Sequence, residues 1–300
     1  MSYTVGIPVM NEEGTILDSI SSILDQSMPP LEILVCINGS TDGTSEIIKD
    51  LQKKDRRVKP VFSNQGIANA WNVIVANAQT NFIGFTDGDT TVRKSAFEKL
   101  YSEFEENPNL TAAGGSLVRL EPSKNTFFTR VSDQEYGINI RNPYLCGGLY
   151  MINKRRLHER SAFLGIKLFP PDTINTTQLI ALIAEYFHEI KMVEDAVVEI
   201  NPLLYFKDFV NIRRRISRGR KQLSARYPEL YYSSESLAKR FNSYIMRFEQ
   251  ARTLPKKVGA IVCGLFREAI YQISLYEKLP ENPQIWEPTI RSNVSLRRFK

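Results

Sequence analysis

Histidine is nearly missing from this chain: His158 and His188 are the only two in 300 residues. A zinc centre or a Ser-His triad is therefore a poor fit, and no G-x-S-x-G elbow occurs either. Cysteine is scarce as well. Cys36, Cys146 and Cys263 are odd in number, far apart and without metal-ligand spacing, which suits a reducing cytoplasm better than a disulfide framework. Long apolar runs are absent; the longest, Val258 to Phe266, falls far short of the roughly 20 residues a membrane span needs. The opening "MSYTVGIPVMNEE" has neither a basic start nor an apolar core, so no export signal is expected. Internal repeats and low-complexity segments are lacking too.

What is present is an ordinary globular composition, 42% hydrophobic and 24% charged, long enough for one large domain or two modest ones. The net charge of +6 hides an asymmetry. Residues 201–300 carry 20 Lys/Arg against 8 Asp/Glu, whereas residues 1–200 carry 19 against 25. An acidic front and a basic back argue against a nucleic-acid coat and for one basic surface. The expected location is the cytoplasm, with the inner face of a membrane left open by that basic third.

The first 120 residues alternate between two periodicities. Strands are expected at 3–9, 31–37, 58–63 and 81–86, and helices at 13–26, 44–54, 67–78 and 94–106. Near-continuous apolar strands separated by helices imply a parallel sheet covered on both faces. Ligands bind such sheets beyond the carboxyl ends of the strands. Polar clusters fall at those ends: Asn11-Glu12-Glu13, Asn38-Gly39-Ser40 and Asp87-Gly88-Asp89.

The last cluster, in "FTDGDT", sets two carboxylates on a tight turn. They repel one another, and each loses hydration if enclosed. A hard divalent cation bridging them to an anionic ligand turns that cost into binding. Gly88 lets the turn close and lets a ligand approach the backbone. The plain alternative is an exposed turn, for which Asp and Gly are simply good formers.

"VGIPVMNEEGTILDSISSIL", "ILVCINGSTDGTSEII" and "NQGIANAWNVIVANAQTNFIGFTDGDT" together resemble the nucleotide-binding half of family 2 glycosyltransferases of the GT-A fold. The resemblance covers residues 3–120 in order and continues more loosely to about 220. "PYLCGGLYMINKRRL" (143–157) resembles the acceptor-side segment, a glycine pair followed by a strand and a basic turn. "PPDTINTTQLIALIAEYFHEIKMVEDAVVEI" (170–200) resembles the acidic-pair segment, its helix and a closing hairpin. The implied architecture is α/β, a GT-A domain over 1–222 with a mostly parallel central sheet flanked by helices. Residues 1–120 would form its nucleotide-sugar half and 121–222 its acceptor half, followed by a helical extension over 223–300.

The resemblance implies roles as well. A Pro8-Val9 turn with Asn11 and Glu12 would line the nucleotide pocket, Asn38 would face the base, and Gly66 and Asn69 would complete the donor site. Asp87 and Asp89 match the D-x-D pair, Asp89 as the direct ligand of Mn²⁺ or Mg²⁺ and Asp87 nearer the ribose and diphosphate. Asp172 falls where the family keeps the base that deprotonates the acceptor in a single inverting displacement. Its other reading is a helix N-cap, since "PPDT" precedes a helix. The donor would be a nucleotide sugar, UDP-linked ahead of GDP-linked, and the acceptor a saccharide or lipid-linked hydroxyl. Met10, Asn38, Trp71 and Pro171 stand where the family often has an aromatic, an aspartate, an arginine and an acid.

The last third is less informative. Residues 207–221 hold seven basic side chains and one acid. From them Arg215 or Arg218 is the expected grip on diphosphate, the alternative being a solvated helix face or a membrane-surface patch. Helices are expected at 234–252 and 256–278. In the second, Val258, Ile261, Val262, Leu265, Phe266, Ala269, Ile270 and Ile273 form one stripe, expected to pack inward or in a homodimer rather than on anionic lipid. Two other functions compete: a nucleotidyltransferase, disfavoured because "PVMNEEG" is acidic where a basic phosphate loop belongs, and a degenerate nucleotide-sugar-binding module.

Overall fold

The computed structural model describes residues 2–134, 139–140, 145, 147–231 and 245–277. The alternation expected from the sequence is there. β1 (Tyr3–Val9), α1 (Ile16–Leu24), β2 (Glu32–Ile37), α2 (Thr44–Lys54), β3 (Val58–Phe62), α3 (Ile67–Asn77) and β4 (Phe82–Phe85) follow in turn. Every residue of β1 and β2 is buried, as strands covered by helices on both faces must be. A short β5 (Thr90–Val92), α4 (Ala96–Glu106), β6 (Ala112–Arg119), α5 (Phe127–Val131) and β7 (Asn139–Ile140) come next. After them run β8 (Tyr150–Asn153), α6 (Lys154–Phe163), α7 (Thr176–Tyr186), β9 (Ile190–Ile200), α8 (Phe206–Arg226), α9 (Pro228–Tyr231) and α10 (Leu254–Tyr276).

The strands form a single sheet in the order β3-β2-β1-β4-β8-β6-β9-β5, with β7 paired to β6. β3, β2, β1 and β4 are parallel, with Val9 level with Ile37 and Gly6 level with Phe85. β8 joins antiparallel to β4 and β6, and β6 runs parallel to β9. The architecture is that of a GT-A domain with C-terminal helices. One core cluster, including Ile7, Ile16, Val35 and Phe97, fills the α1, α2 and α4 side. The other lies under α3 and α7, where Trp71 stacks on Tyr150 and lies 3.9 Å from Phe85, centroid to centroid.

Four local expectations are corrected. Pro8 and Val9 are the last two residues of β1, not a turn. The basic run after β8 opens α6 instead of a turn, capped by the Asn153 side chain. Residues 190–200 are one long strand, not a hairpin; it is bulged against β6 and has β5 as its antiparallel partner. The apolar stripe of α10 faces outward except at Ile270, which is buried. Val258, Ile261, Leu265, Phe266 and Ile273 are exposed, while Gly259, Ala260, Cys263, Gly264 and Arg267 are buried.

The reason is steric. A Cβ on Gly259 would lie 1.5 Å from the Val131 carbonyl, so α10 meets α5 backbone to backbone there and no side chain fits at that position. α10 is long and apolar enough to cross a membrane by length and composition, though a third of its apolar window is buried in the protein. α8 runs unbroken through residue 222, where the sequence suggests a domain boundary. Of the expected helix at 234–252, residues 245–250 are helical and 232–244 lie outside the described residues, as does Cys146.

Candidate active site

The carboxyl ends of β1, β2 and β4 converge, and hydrogen bonds tie their loops together. The Asn38 N–H donates to the Val9 carbonyl at 2.9 Å. The Asn11 N–H donates to Ser40 Oγ at 3.1 Å, and Asn11 Oδ1 accepts from the Thr41 N–H at 2.8 Å. Asn11 adopts φ 58°, a left-handed turn that asparagine tolerates. The Glu12 N–H donates to Thr44 Oγ1 at 2.8 Å, and its carboxylate accepts from Thr15 Oγ1 at 2.8 Å. Asn38 is buried, with Oδ1 3.5 Å from Ser63 Oγ; Met10 is buried beside Gln65, whose Nε2 lies 3.6 Å from its sulfur. Gly66 caps α3, and Asn69 Nδ2 donates back to the Gln65 carbonyl at 3.0 Å.

The aspartate turn fits against this floor. A Cβ at Gly88 would lie 2.9 Å from Val9 Cγ1 and 3.2 Å from Glu12 Cγ, so glycine is needed for the approach. Asp89 is buried, only 6% exposed. The Asp87 carbonyl accepts from Ser19 Oγ of α1 at 3.1 Å and Thr90 Oγ1 at 2.8 Å. Thr86 Oγ1 contacts Thr90 Oγ1 at 2.7 Å and reaches the Gly148 carbonyl at 2.7 Å, tying the turn to the glycine pair. Glu12, Asp87 and Asp89 thus gather at one sheet edge. The exposed-turn alternative does not hold for Asp89. Hard oxygen donors on a rigid turn fit Mg²⁺ or Mn²⁺, the remaining positions falling to ligand oxygens and water. Among the described residues no group of three or more His, Cys, Asp or Glu is arranged as an all-protein metal cage.

Opposite the turn stands Tyr150, fully buried. Burial pushes its phenol well above the ordinary value, the Thr177 hydroxyl pulls it down, and the nearby Asp87 charge raises it further. Thr177 Oγ1 lies 3.5 Å from the phenol oxygen and faces Gly147. Thr86, Tyr150 and Thr177 are not named by the sequence reading, although each lies within a stretch it singles out: "FTDGDT", "PYLCGGLYMINKRRL" and the 170–200 segment.

Asp172 is not a helix cap. Asn175 caps α7, its Oδ1 accepting from the Gln178 N–H at 3.1 Å. The Asp172 carboxylate is instead gripped by Arg226 of α8, Nη1 to Oδ1 at 3.0 Å and Nη2 to Oδ2 at 2.5 Å. That guanidinium holds the carboxyl below its usual range. Gln222 braces the same loop, donating to the Asp172 carbonyl at 2.7 Å and accepting from the Ile174 N–H at 3.0 Å. Arg218 is engaged by Glu277 near the end of α10, as is Arg214, in line with their shared helix face. Arg215, half-buried, lies on the same helix with interactions of its own. Trp71, in place of an arginine, is 2% exposed with its indole N–H unpartnered.

The fold is an α/β domain with an acidic turn at the carboxyl ends of its parallel strands. Residues 4–161 match the family described as glycosyl transferase family 2, and the chain belongs to it. It is 30% identical over 170 residues to a poly-beta-1,6-N-acetyl-D-glucosamine synthase of Staphylococcus epidermidis, covering 55% of this chain and 41% of the relative. The chain spans less than half the length of the curated relatives it matches. In fold it resembles the mannosyltransferase PcManGT from Pyrobaculum calidifontis in complex with GDP-Man and Mn²⁺ (TM-score 0.59, 18% identity, 92% of this chain and 87% of that one). It also resembles S. aureus TarS 1-349 in complex with UDP-GlcNAc (TM-score 0.50, 15% identity, 94% and 95%).

Proposed function

We propose that this chain is a metal-dependent, inverting glycosyltransferase that moves a sugar from a nucleotide-sugar donor to a hydroxyl of a saccharide or lipid-linked acceptor. The observation that carries the reading is the Asp87-Gly88-Asp89 turn, seated on Val9 and Glu12 at the carboxyl edge of the sheet. Asp89, with Asp87 beside it, would hold the divalent cation, which when bound neutralises charge on the leaving diphosphate. Asn38, Asn11, Gly66 and Asn69 line the donor side, and Asn38 accepts from or donates to a base through its amide. Asp172 takes the acceptor proton in this reading, and it must first loosen from Arg226 to do so. A UDP-linked donor is expected ahead of a GDP-linked one, although the Asn38 amide does not itself choose between bases and solved structures of like fold carry both kinds.

A second reading has two observations in its favour. The first turn of α7 presents Asn175, Thr176, Thr177 and Gln178, with no carboxylate, and Asp172 is already ion-paired. That would suit a binding module without turnover. One experiment separates the two. The full chain is incubated with UDP- and GDP-sugars, with Mn²⁺ and with chelator, and nucleoside diphosphate release is followed. Metal-dependent release supports the enzyme; donor binding without release supports the module.

A further inference from the structure

A cavity of about 540 Å³ opens between the second half of α3, one face of α6 and the loop over 164–169. That volume falls in the range of small-molecule pockets. Its apolar lining comes from both helices and from Ile166 and Phe169. Asn72, Lys154, His158, Ser161 and Lys167 supply the polar groups, and none of the residues that line it is acidic. Two of these groups are held in place. Lys154 Nζ spends one of its three hydrogens on the Ala78 carbonyl at 2.9 Å, and Asn72 Nδ2 donates to the Phe169 carbonyl at 2.8 Å. Ser161 is 2% exposed, and its hydroxyl has no hydrogen-bond partner. Burial and the Lys154 charge lower the His158 pKa, which leaves a neutral ring with one N–H to donate at pH 7.

This cavity is not part of the aspartate edge. The Lys154 N–H donates to the Asn81 carbonyl at 2.8 Å, just before β4 begins, whereas Asp87 follows the far end of that strand. Phe169 forms the wall on the side of the core, 1% exposed, with its ring 6.1 Å from Trp71. Its backbone adopts φ 44°, a left-handed conformation that a bulky residue rarely takes. Such a conformation persists only where the surroundings over-determine it, and it concentrates at binding sites. The chemistry of the lining selects the ligand. Two ammonium groups, an imidazole and an unpartnered hydroxyl, with no carboxylate to oppose them, favour an anion. The aliphatic and aromatic remainder favours an apolar body beside that charge. Lysine acts as a point charge without the planar fork of arginine, so the lining accepts a carboxylate or a phosphate head alike.

We propose that the cavity between α3, α6 and the 164–169 loop is a second ligand site, which binds a small organic oxyanion carried on an apolar body. The site is separate from the donor edge and does not depend on the function proposed above. The test uses the full chain and titration calorimetry without metal, with phenyl phosphate, benzoate, inorganic phosphate and benzyl alcohol as probes. At least one of the two aromatic anions should bind, and more tightly than inorganic phosphate or benzyl alcohol. Lys167→Glu reverses a charge at the cavity, and Ala162→Phe fills it; both positions are exposed, so both variants should fold with an unchanged Tm. Each should weaken the aromatic anion about ten-fold or more. Saturating nucleoside diphosphate with Mn²⁺ should leave that binding in place.

No saturable binding of either aromatic anion, or equal binding to wild type and both variants, overturns the site. Benzyl alcohol binding as tightly as the anions overturns the charge selection, and inorganic phosphate doing so overturns the apolar body. An aromatic anion displaced by nucleoside diphosphate and Mn²⁺, and unaffected by Ala162→Phe, belongs to the aspartate edge and overturns the second site. If the nucleoside diphosphate fails to bind wild type, the proposed function is at fault, and the two variants still read the cavity.

Discussion

Asp172 and Arg226 are joined at two points, 3.0 and 2.5 Å, across 54 residues of sequence. The pair is partly open to solvent, so its net contribution to stability is about 0–1 kcal/mol. Its effect on basicity is larger in consequence, because a carboxylate held by a guanidinium is a poorer proton acceptor.

If Asp172 is the base, Asp172→Asn keeps donor affinity and loses transfer by roughly 10²–10⁴-fold. Arg226→Met should then let the Asp172 pKa rise toward its ordinary value. The acid limb of the pH–rate profile therefore moves to higher pH, read from kcat/KM between pH 4 and 8. An unmoved limb, or a fully active Asp172→Asn, would place the base elsewhere.

Asp89→Ala should abolish the metal-dependent part of donor binding with the fold retained, since the buried carboxylate lies at the sheet edge and not within the hydrophobic clusters. Calorimetry with Mn²⁺ and with chelator reads this directly. Donor affinity that is equal in both conditions and in both proteins would remove the metal from the site.

Gly88→Ala tests the seat of the turn. The added methyl meets Val9 Cγ1 at 2.9 Å and Glu12 Cγ at 3.2 Å, too close without movement. Overpacking of this kind costs about 1–3 kcal/mol, so Tm falls by several degrees and donor affinity falls with it. A variant with wild-type Tm and affinity would mean that the turn is loosely held.

Much of the nucleotide half was legible because strands buried on both faces leave unbroken apolar runs, as in "YTVGIPV" and "EILVCI". The polar residues at their ends needed only that topology to be brought together. The α10 stripe shows where pattern stops. Its spacing is right, but periodicity does not say which side is inside. The decisive signal was the opposite face, Gly259, Ala260, Cys263 and Gly264, small enough for backbone contact with α5. Partners far apart in sequence were equally hidden. Nothing near Arg218 announces Glu277, and nothing near Asp172 announces Arg226. Trp71 reads as a lost arginine in sequence, whereas in the fold it is a core ring stacked on Tyr150.

Glu189 offers a test of the acceptor half that is independent of any ligand. It is buried and accepts from Thr111 Oγ1 and from Arg156 and Arg160, which fastens α6 to the β6–β9 edge. Burial alone would raise its pKa, but these donors hold it at about 2. A group whose folded-state pKa is depressed adds stability above its unfolded pKa, and that stability is lost as pH falls through the folded value. The urea midpoint of the wild type should therefore drop steadily from about pH 4.5 to about pH 2, in part through this residue. Glu189→Gln should be less stable than wild type at pH 7, and the gap should narrow across that same interval. A gap that stays constant from pH 7 to pH 2 would show that Glu189 holds α6 by shape alone and not by charge.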